Sequence, residues 1–519
     1  MKRALAYAIA VAGFAASAQA ADLSVDAIKD PLPDQLSWHG VTVYGTIDVG
    51  GVWSQYSAPA SGASYNAVNY SINSSKYVST GLAAFTNNAL EQSKIGVKIE
   101  EDVFAGLKAV GKIETGFNPI SGELADACAS LLRNNGRVYQ FMDQNGDGSR
   151  CGQAFNSVAY GGLSSPLYGT LTFGRQTSLV LDGMNAYDPM VTSYAFSLNL
   201  SGTPGGGIGS TETARWDDAV KYIFTYGPFH AAGMYSTGGQ DTPIFGNAYA
   251  ANVGFTYKGL SVDGYYTKEN GAVSAAFFNN PLYSSNQYTY CSTAGGTGNC
   301  INQLLGTITN NEAWDVMAKY TFELGEPASL KDAPCGGLKD APCAPPDKVT
   351  LFGGFQYVTM SNPEHPQSWY NDYSTIGGYQ LFTNQNFLKY GSVGDIAYGT
   401  DRVVETAWAG AKYETGPWAL VAAYYWYHQN DYITASARNC VSQTAKNVTD
   451  KAANHFAGYT VGTNCAGDVN QGSFLVDYTF NKHLDVYAGV TLSEIGGGLS
   501  SGYLQDTGAA VTTGLRLKF

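Results

Sequence analysis

The chain has 519 residues, among them 62 Gly and 37 Tyr; 44% are hydrophobic, only 14% are charged, and the formal net charge is −13. Ordinary globular chains carry about 25% charged residues and about 7% Gly, so this composition excludes a disordered chain and a coiled coil. The acidic balance also argues against a nucleic-acid partner, because phosphate contacts demand a basic surface.

At the N-terminus, Met1-Lys2-Arg3 is a basic leader, Ala4 to Ala16 is apolar apart from Tyr7 and Gly13, and Ala18-Gln19-Ala20 offers a signal-peptidase site. The apolar stretch is shorter than the ~20 residues of a spanning helix. Residues 1–20 therefore read as a cleaved signal peptide, 21–40 as a periplasmic N-terminal segment, and 41–519 as the main domain. Losing Lys2 and Arg3 takes the formal charge from −13 to −15. No later run approaches ~18 apolar residues, so an exported chain must be either a soluble domain or a membrane β-barrel.

Period-two alternation decides for the barrel. Val41, Val43, Gly45, Ile47 and Val49 share one face, with Thr42, Tyr44, Thr46, Asp48 and Gly50 on the other. Ile95, Val97 and Ile99 alternate with Lys94, Lys98 and Glu100; after a turn at Asp102 to Gly106, Leu107, Ala109, Ile113 and Phe117 alternate with Lys108, Lys112 and Glu114. The pattern continues through Phe155–Leu163, Tyr168–Gln176, Trp216–Tyr226, Phe229–Thr237, Ala248–Tyr257 and Leu260–Lys268. It resumes at Glu312–Phe322, Lys348–Met360, Asp401–Glu414, Trp418–Gln429, Gln471–Phe480, Leu484–Ile495 and Gly508–Phe519, which makes sixteen strands. Short turns such as Gly227-Pro228 and Lys258-Gly259 alternate with long loops at 54–90, 177–215, 269–311, 361–400 and 430–470. An even strand count with short turns on one side and long loops on the other is the pattern of an antiparallel outer-membrane barrel; a soluble sandwich predicts no such asymmetry. Tyr and Trp near strand ends, such as Trp53, Tyr226, Tyr257 and Trp426, fit aromatic girdles, although β-propensity alone also enriches them.

Eight cysteines fall in the connections as sequence neighbours: Cys128 and Cys151, Cys291 and Cys300, Cys335 and Cys343, Cys440 and Cys465. An even count in an exported chain suggests four loop-closing disulfides, with the connectivity open. The alternative of a Cys metal or redox site lacks a C-x-x-C spacing. Leu330 to Cys335 recurs as Leu338 to Cys343, a tandem repeat that reads as a stapled periplasmic insertion or as a contact for a periplasmic partner. Asp143, Asn145 and Asp147 place oxygens at alternate positions ahead of Gly148, as in a Ca²⁺ loop, but the twelfth position is Ala154 instead of Glu. No cofactor is expected beyond a weak Ca²⁺ ion in this external loop.

Several of these runs resemble the Gram-negative general porins. Val43 to Asp48, Lys94-Ile95-Gly96 with Glu101-Asp102, Leu107-Lys108-Ala109 and Glu114 to Asn118 are similar to the family's N-terminal strands, and Leu171 to Gln176 to its fifth-strand motif. Arg215 with Ala219 to Tyr222 is similar to the strand after the constriction loop, and Gly514 to Phe519 ends in the terminal aromatic used as an assembly signal. The resemblance implies a sixteen-stranded barrel, usually a homotrimer in outer-membrane lipid and lipopolysaccharide, that passes ions and small hydrophilic solutes. It also implies a third outer loop, residues 177–214, folded into the pore with Asp182 and Asp188 facing basic wall residues.

The wall chemistry can be read directly. A lipid-facing Lys costs about 2–4 kcal/mol near the midplane, so Lys94, Lys98, Lys108, Lys112, Lys221, Lys319, Arg516 and Lys518 should point inward. They either set up a transverse field against the acidic loop or merely solvate the lumen and neutralise Glu100 and Glu114. Arg175 is in phase with the lipid-facing Leu171 and Phe173 and reaches the pore only if the strand ends or bulges there. Enzyme chemistry is not expected, since the six His are scattered and no H-E-x-x-H, G-x-S-x-G or P-loop occurs. A passive channel is thus the leading reading, with a solute-specific porin or a loop-mediated binding barrel as alternatives.

Overall fold

The computed structural model describes residues 36–56, 81–126, 150, 153–199, 214–237, 247–277, 304–324, 346–362, 375–376, 379–380, 392–395, 400–432, 466–497 and 505–519. The segment expected to be a signal peptide, all eight cysteines, the Leu330–Cys343 repeat and Asp143, Asn145 and Asp147 lie outside them.

Strands follow one another in chain order: β1 (Leu36–Trp38), β2 (Val41–Ser54), β3 (Leu82–Asn87), β4 (Lys94–Phe104), β5 (Leu107–Gly116), β6 (Val158–Ser165) and β7 (Gly169–Thr177). Helix α1 (Leu179–Tyr187) comes next, then β8 (Arg215–Tyr226), β9 (Phe229–Thr237), β10 (Asn247–Tyr257), β11 (Leu260–Phe277), β12 (Leu304–Leu324) and β13 (Asp347–Ser361). The short β14 (Thr375–Ile376), β15 (Tyr379–Gln380) and β16 (Ser392–Asp395) precede β17 (Arg402–Thr415), β18 (Trp418–Gln429), β19 (Gly467–Asn481), β20 (Leu484–Gly497) and β21 (Thr507–Lys518).

Each wall strand pairs antiparallel with its neighbour, and β2 pairs with β21 to close a sixteen-stranded barrel. Closure leaves no unpaired edge within the hydrocarbon, which is the condition for a β-protein to span lipid. Two-residue turns at Ala105-Gly106 and Lys258-Gly259 have positive φ at both positions (47° and 80°, 47° and 84°), the primed-turn geometry that matches strand twist. At the seam, the Phe519 amide donates to the Gly45 carbonyl (3.1 Å) and the Gly45 amide to the Phe519 carbonyl (2.9 Å). A Cβ on Gly45 would sit 2.3 Å from the Phe519 ring, so the terminal aromatic needs glycine there.

Four departures from the sequence reading have local causes. β1 pairs with Val41–Val43 through His39-Gly40, so part of the segment ahead of residue 41 joins the sheet. β3 lies inside the loop expected over 54–90; it and β4 together make the second wall strand, pairing with the upper and lower halves of β2. Six residues, 88–93, bulge inward between them opposite only Ile47 and Asp48. Finally, β11 and β12 run on past Glu269 and Asn311, pairing Ala272–Phe277 with Leu304–Thr309, because the Asn270-Gly271 turn signal is absorbed as a bulge.

Outward positions carry exposed Phe173, Tyr222, Tyr235, Trp314, Phe355, Tyr424 and Phe474. The buried apolar cluster lies inside, where Leu179, Val180, Met184, Tyr187, Met190 and Phe196 of the third loop meet Tyr265, Met317, Trp408 and Tyr425 of the wall.

Candidate functional site

The third outer loop turns into the lumen as α1. Ser178 caps the helix by accepting from the Leu181 amide (3.1 Å), and Asp182 sits in its first turn. The helix rests on β11, β12 and β13. Gly183 is required for that seat, since a Cβ there would come within 2.6 Å of the Tyr265 ring.

Beyond α1 the loop is fastened to the far wall. Trp408 Nε1 donates to the Tyr187 carbonyl (3.0 Å), Lys319 Nζ to the Ala186 carbonyl (3.0 Å), and Tyr425 Oη to the Asp188 carboxylate (2.5 Å). Tyr187 Oη bonds Ser261 (2.6 Å) and Asp263, which also pairs with His230 (2.7 Å). Further along, the Ala195 amide donates to the Ala89 carbonyl (2.9 Å), Thr491 Oγ1 to the Ala195 carbonyl (2.9 Å) and Gln471 Nε2 to the Phe196 carbonyl (3.1 Å). The inward bulge at 88–93 is thus a platform for the loop. Asp48 organises that platform: its carboxylate accepts from the Leu90 and Glu91 amides (2.8 and 2.7 Å) and from Tyr487 Oη (2.5 Å).

Next to the loop lies a cavity of about 890 Å³ lined by residues of the third loop, the 88–93 bulge, Arg150 and strands β4–β8, β12, β13, β17–β19 and β21. Of the sequence-predicted residues, Lys94, Lys112, Lys221, Lys319, Arg215, Arg516, Asp182 and Asp188 reach it. Lys221 Nζ bonds the Asp182 carboxylate and the Thr177 carbonyl (3.0 Å), which brings a loop acid onto a wall base. Lys98 pairs with Glu100 (3.1 Å) near the turn end of the wall, and Lys108, opposite Asp102 and Ser164, is exposed there as well.

Two placements differ from the expectation. Asp188 lines the cavity but is only 1% exposed, because its oxygens accept from Tyr425 Oη, from the Thr192 amide (2.6 Å) and from the Met190 amide (3.3 Å). Burial pushes its carboxyl above the ordinary Asp range, against the lowering effect of the Ser197, Tyr425 and backbone hydrogen bonds. It is an anchor for the loop. The strand register does shift at Gly174/Gln176, but the extra residue is in β8, where Asp218 has φ 48°, and Arg175 stays in phase with Leu171 and Phe173. Its guanidinium binds Asp217 (2.6 Å) and the Asn156 carbonyl (2.8 Å) and is not part of the cavity lining.

The lining also includes Glu91, Arg150 and Lys412, which strand parity alone did not single out, and Asp477 beside Arg516. Arg516 joins Glu91 (3.1 Å), Asp477 (3.4 Å) and Asp485 (3.0 Å). Glu114 is held by Lys112 (3.2 Å), Tyr44 Oη (2.8 Å) and Ser157 Oγ (2.5 Å). Arg150 crosses over Gly116, where a Cβ would lie 1.9 Å from its Nη1. Glu91 could be found only by recognising the bulge, and Arg150 lies in a loop where periodicity carries no signal.

A closed barrel narrowed by its own third loop, with ionic groups facing water on its inner wall, is a pore architecture. The family model for the Gram-negative porin matches residues 4–331. An outer membrane porin protein of Bordetella pertussis is 27% identical over 292 residues, covering 55% of this chain and 61% of that relative's length. The anion-selective porin from Comamonas acidovorans has a similar fold, with TM-score 0.50 and 13% identity over 92% of this chain and 99% of its own. OmpT of Vibrio cholerae aligns with TM-score 0.48 and 12% identity over 94% of this chain and its full length. The chain therefore belongs to the Gram-negative porin family.

Proposed function

We propose that the protein is a water-filled, homotrimeric outer-membrane channel through which ions and small hydrophilic solutes diffuse passively, with a bias toward anions. The observation that carries this reading is the lining of the cavity beside the constriction loop. Lys94, Lys112, Arg150, Arg215, Lys221, Lys319, Lys412 and Arg516 line it against Glu91, Glu114, Asp182, Asp188 and Asp477. Asp188 and Glu114 are buried, as are Arg150 and Lys221, which leaves six bases against three acids on the less buried part of the lining. A basic excess in a confined, low-dielectric passage raises the local concentration of anions. Net chain charge is a poor guide to this, because charges beyond about 10 Å are screened at ordinary salt.

A trimer is supported by the outer surface. Outward positions on β4, β5 and β6 carry Ile95, Val97, Ile99, Ala109, Gly111, Ile113, Ala159, Gly161 and Leu163, without the Tyr and Trp rings that mark the lipid interface elsewhere on the wall. A smooth aliphatic face suits packing against copies of itself, and the remaining wall suits lipid and lipopolysaccharide. No catalytic step belongs to this function.

The test of the bias is the zero-current potential of the reconstituted protein across a tenfold KCl gradient. A potential displaced toward the chloride equilibrium supports it, and the substitution Lys221→Glu should move the potential toward that of potassium. A wild-type potential on the potassium side contradicts it.

A further inference from the structure

Most lysines that line the cavity are already paired. Lys94, Lys112, Lys221 and Lys412 hold the carboxylates of Glu91 (2.8 Å), Glu114 (3.2 Å), Asp182 and Glu414 (2.7 Å). Lys319 lines the same cavity and, among the described residues, has no carboxylate within ion-pair reach. Its ammonium donates to the Ala186 carbonyl (3.0 Å) and stands 5.1 Å from the centre of the Tyr187 ring. Asp263, diagonal to it on β11, is occupied by His230 (2.7 Å), Asn252 Nδ2 (2.8 Å) and Tyr187. An ammonium carries three donors, so Lys319 faces the passage with a charge that no acid balances and with N–H bonds to spare.

At Lys319 the basic wall meets an apolar one. Phe352 of β13 is its register partner, half-buried on the same lumenal face, and lines the same cavity. Side chains paired in this way have Cβ atoms about 5 Å apart. Gly410 of β17 is in turn the partner of Phe352, and Pro189 of the loop fills the place of its missing side chain: a Cβ there would lie 2.5 Å from Pro189 Cγ. An ammonium, an aromatic ring and a proline ring thus follow one another across two strand spacings, about 10 Å. Val191 continues the apolar edge, exposed on left-handed backbone with φ 52°. Apolar side chains facing water are unfavourable, and strained backbone collects where a ligand is met, so this edge is built for contact with a solute.

We propose that Lys319, Phe352, Pro189 and Val191 form a transient site for organic monoanions with an apolar body, aromatic carboxylates above all. Lys319 takes the carboxylate through a charge-assisted hydrogen bond, while Phe352 and the two loop residues take the ring. Chloride and polyhydroxylated acids can use the lysine but gain nothing from the apolar row. The contact must stay weak, since a solute that is to pass has to leave as readily as it enters. The proposal deepens the anion reading of this cavity and rests on the cavity being an open aqueous path.

Planar bilayers holding the folded protein in symmetric KCl, with potassium benzoate or potassium gluconate added to one side, provide the test. Benzoate should reduce the chloride current saturably at concentrations where gluconate leaves it unchanged. Lys319→Gln, which can still donate to Ala186, and Phe352→Thr, which keeps the charge, should each weaken the benzoate block about tenfold, and Phe352→Tyr should retain it. The chloride current of each variant before benzoate is added shows that it is folded and open. Equal block by the two salts in wild type, or a benzoate block undiminished in Phe352→Thr, overturns the proposal. The zero-current potential in a KCl gradient, measured on the same membranes, separates this inference from the anion bias. A chloride-side potential with equal block overturns the site alone, whereas a potassium-side potential with the benzoate preference intact overturns the bias and supports the site.

Discussion

Asp188 shows how one side chain can hold a pore in shape. Its carboxylate binds the Thr192 amide and its backbone carbonyl the Val191 amide (3.0 Å), closing a turn in which Val191 and Thr192 have φ of 52° and 51°. Left-handed backbone at β-branched residues costs about 1–3 kcal/mol each and persists only where neighbours enforce it. Val191 is 59% exposed at the edge of the cavity, so the strain sits where the passage is shaped. Since burial raises the Asp188 carboxyl above its unfolded value, its contribution is fully present below about pH 4 and is lost as pH rises through the folded value. The loop seat should therefore be tightest in acid. Melting of the wild-type protein in detergent is expected to fall between pH 4 and pH 7 more steeply than melting of Asp188→Asn; parallel slopes would show that Asp188 does not titrate as its burial requires.

Elements were legible in the sequence to the extent that their physics is local. Alternation of apolar and polar residues follows from one lipid face and one wet face, so the sixteen wall strands could be counted, and Lys94, Lys112 and Lys221 could be aimed inward. The 88–93 bulge was not legible, because its cause is the distant Asp48 and Tyr487, whose contacts no alternation encodes. Asp188 looked like a lumen charge because nothing in its neighbourhood of sequence announces Tyr425, more than 200 positions away. Arg175 keeps the strand phase of Leu171 and Phe173, and its guanidinium is held by Asp217 and the Asn156 carbonyl, contacts that no periodicity announces. At this scale the dependence of α1 on its seat is testable. Replacing Gly183 by Val forces atoms into the Tyr265 ring, an overpacking cost of about 1–3 kcal/mol that lifting the helix would relieve. Single-channel conductance of Gly183→Val is expected to exceed that of wild type while the folded barrel persists; unchanged conductance would mean that the helix does not set the passage.

For the whole molecule, low charge, abundant Gly and abundant Tyr have one origin. Half of each strand meets lipid, small residues allow close strand and ring approach, and the charged residues concentrate in loops and on the inner wall. Self-association can be probed on the smooth face of β4–β6. Gly161 faces outward, and a Cβ there meets nothing closer than the Val110 carbonyl at 3.9 Å, so the isolated barrel has room for a ring. Gly161→Trp should convert heat-sensitive trimer bands to folded monomer on unheated gels, with strand content by circular dichroism unchanged. A trimer that survives the substitution would place the contact on another face.

The central claim is that a barrel of this form, narrowed by an anchored loop, leaves an open aqueous path. Planar-bilayer recording of the folded wild-type protein in symmetric KCl tests it most directly. Stepwise, ohmic conductance increments at low voltage, without any added energy source or ligand, are the predicted result; folded protein that inserts into the bilayer and yields no such steps would contradict the account.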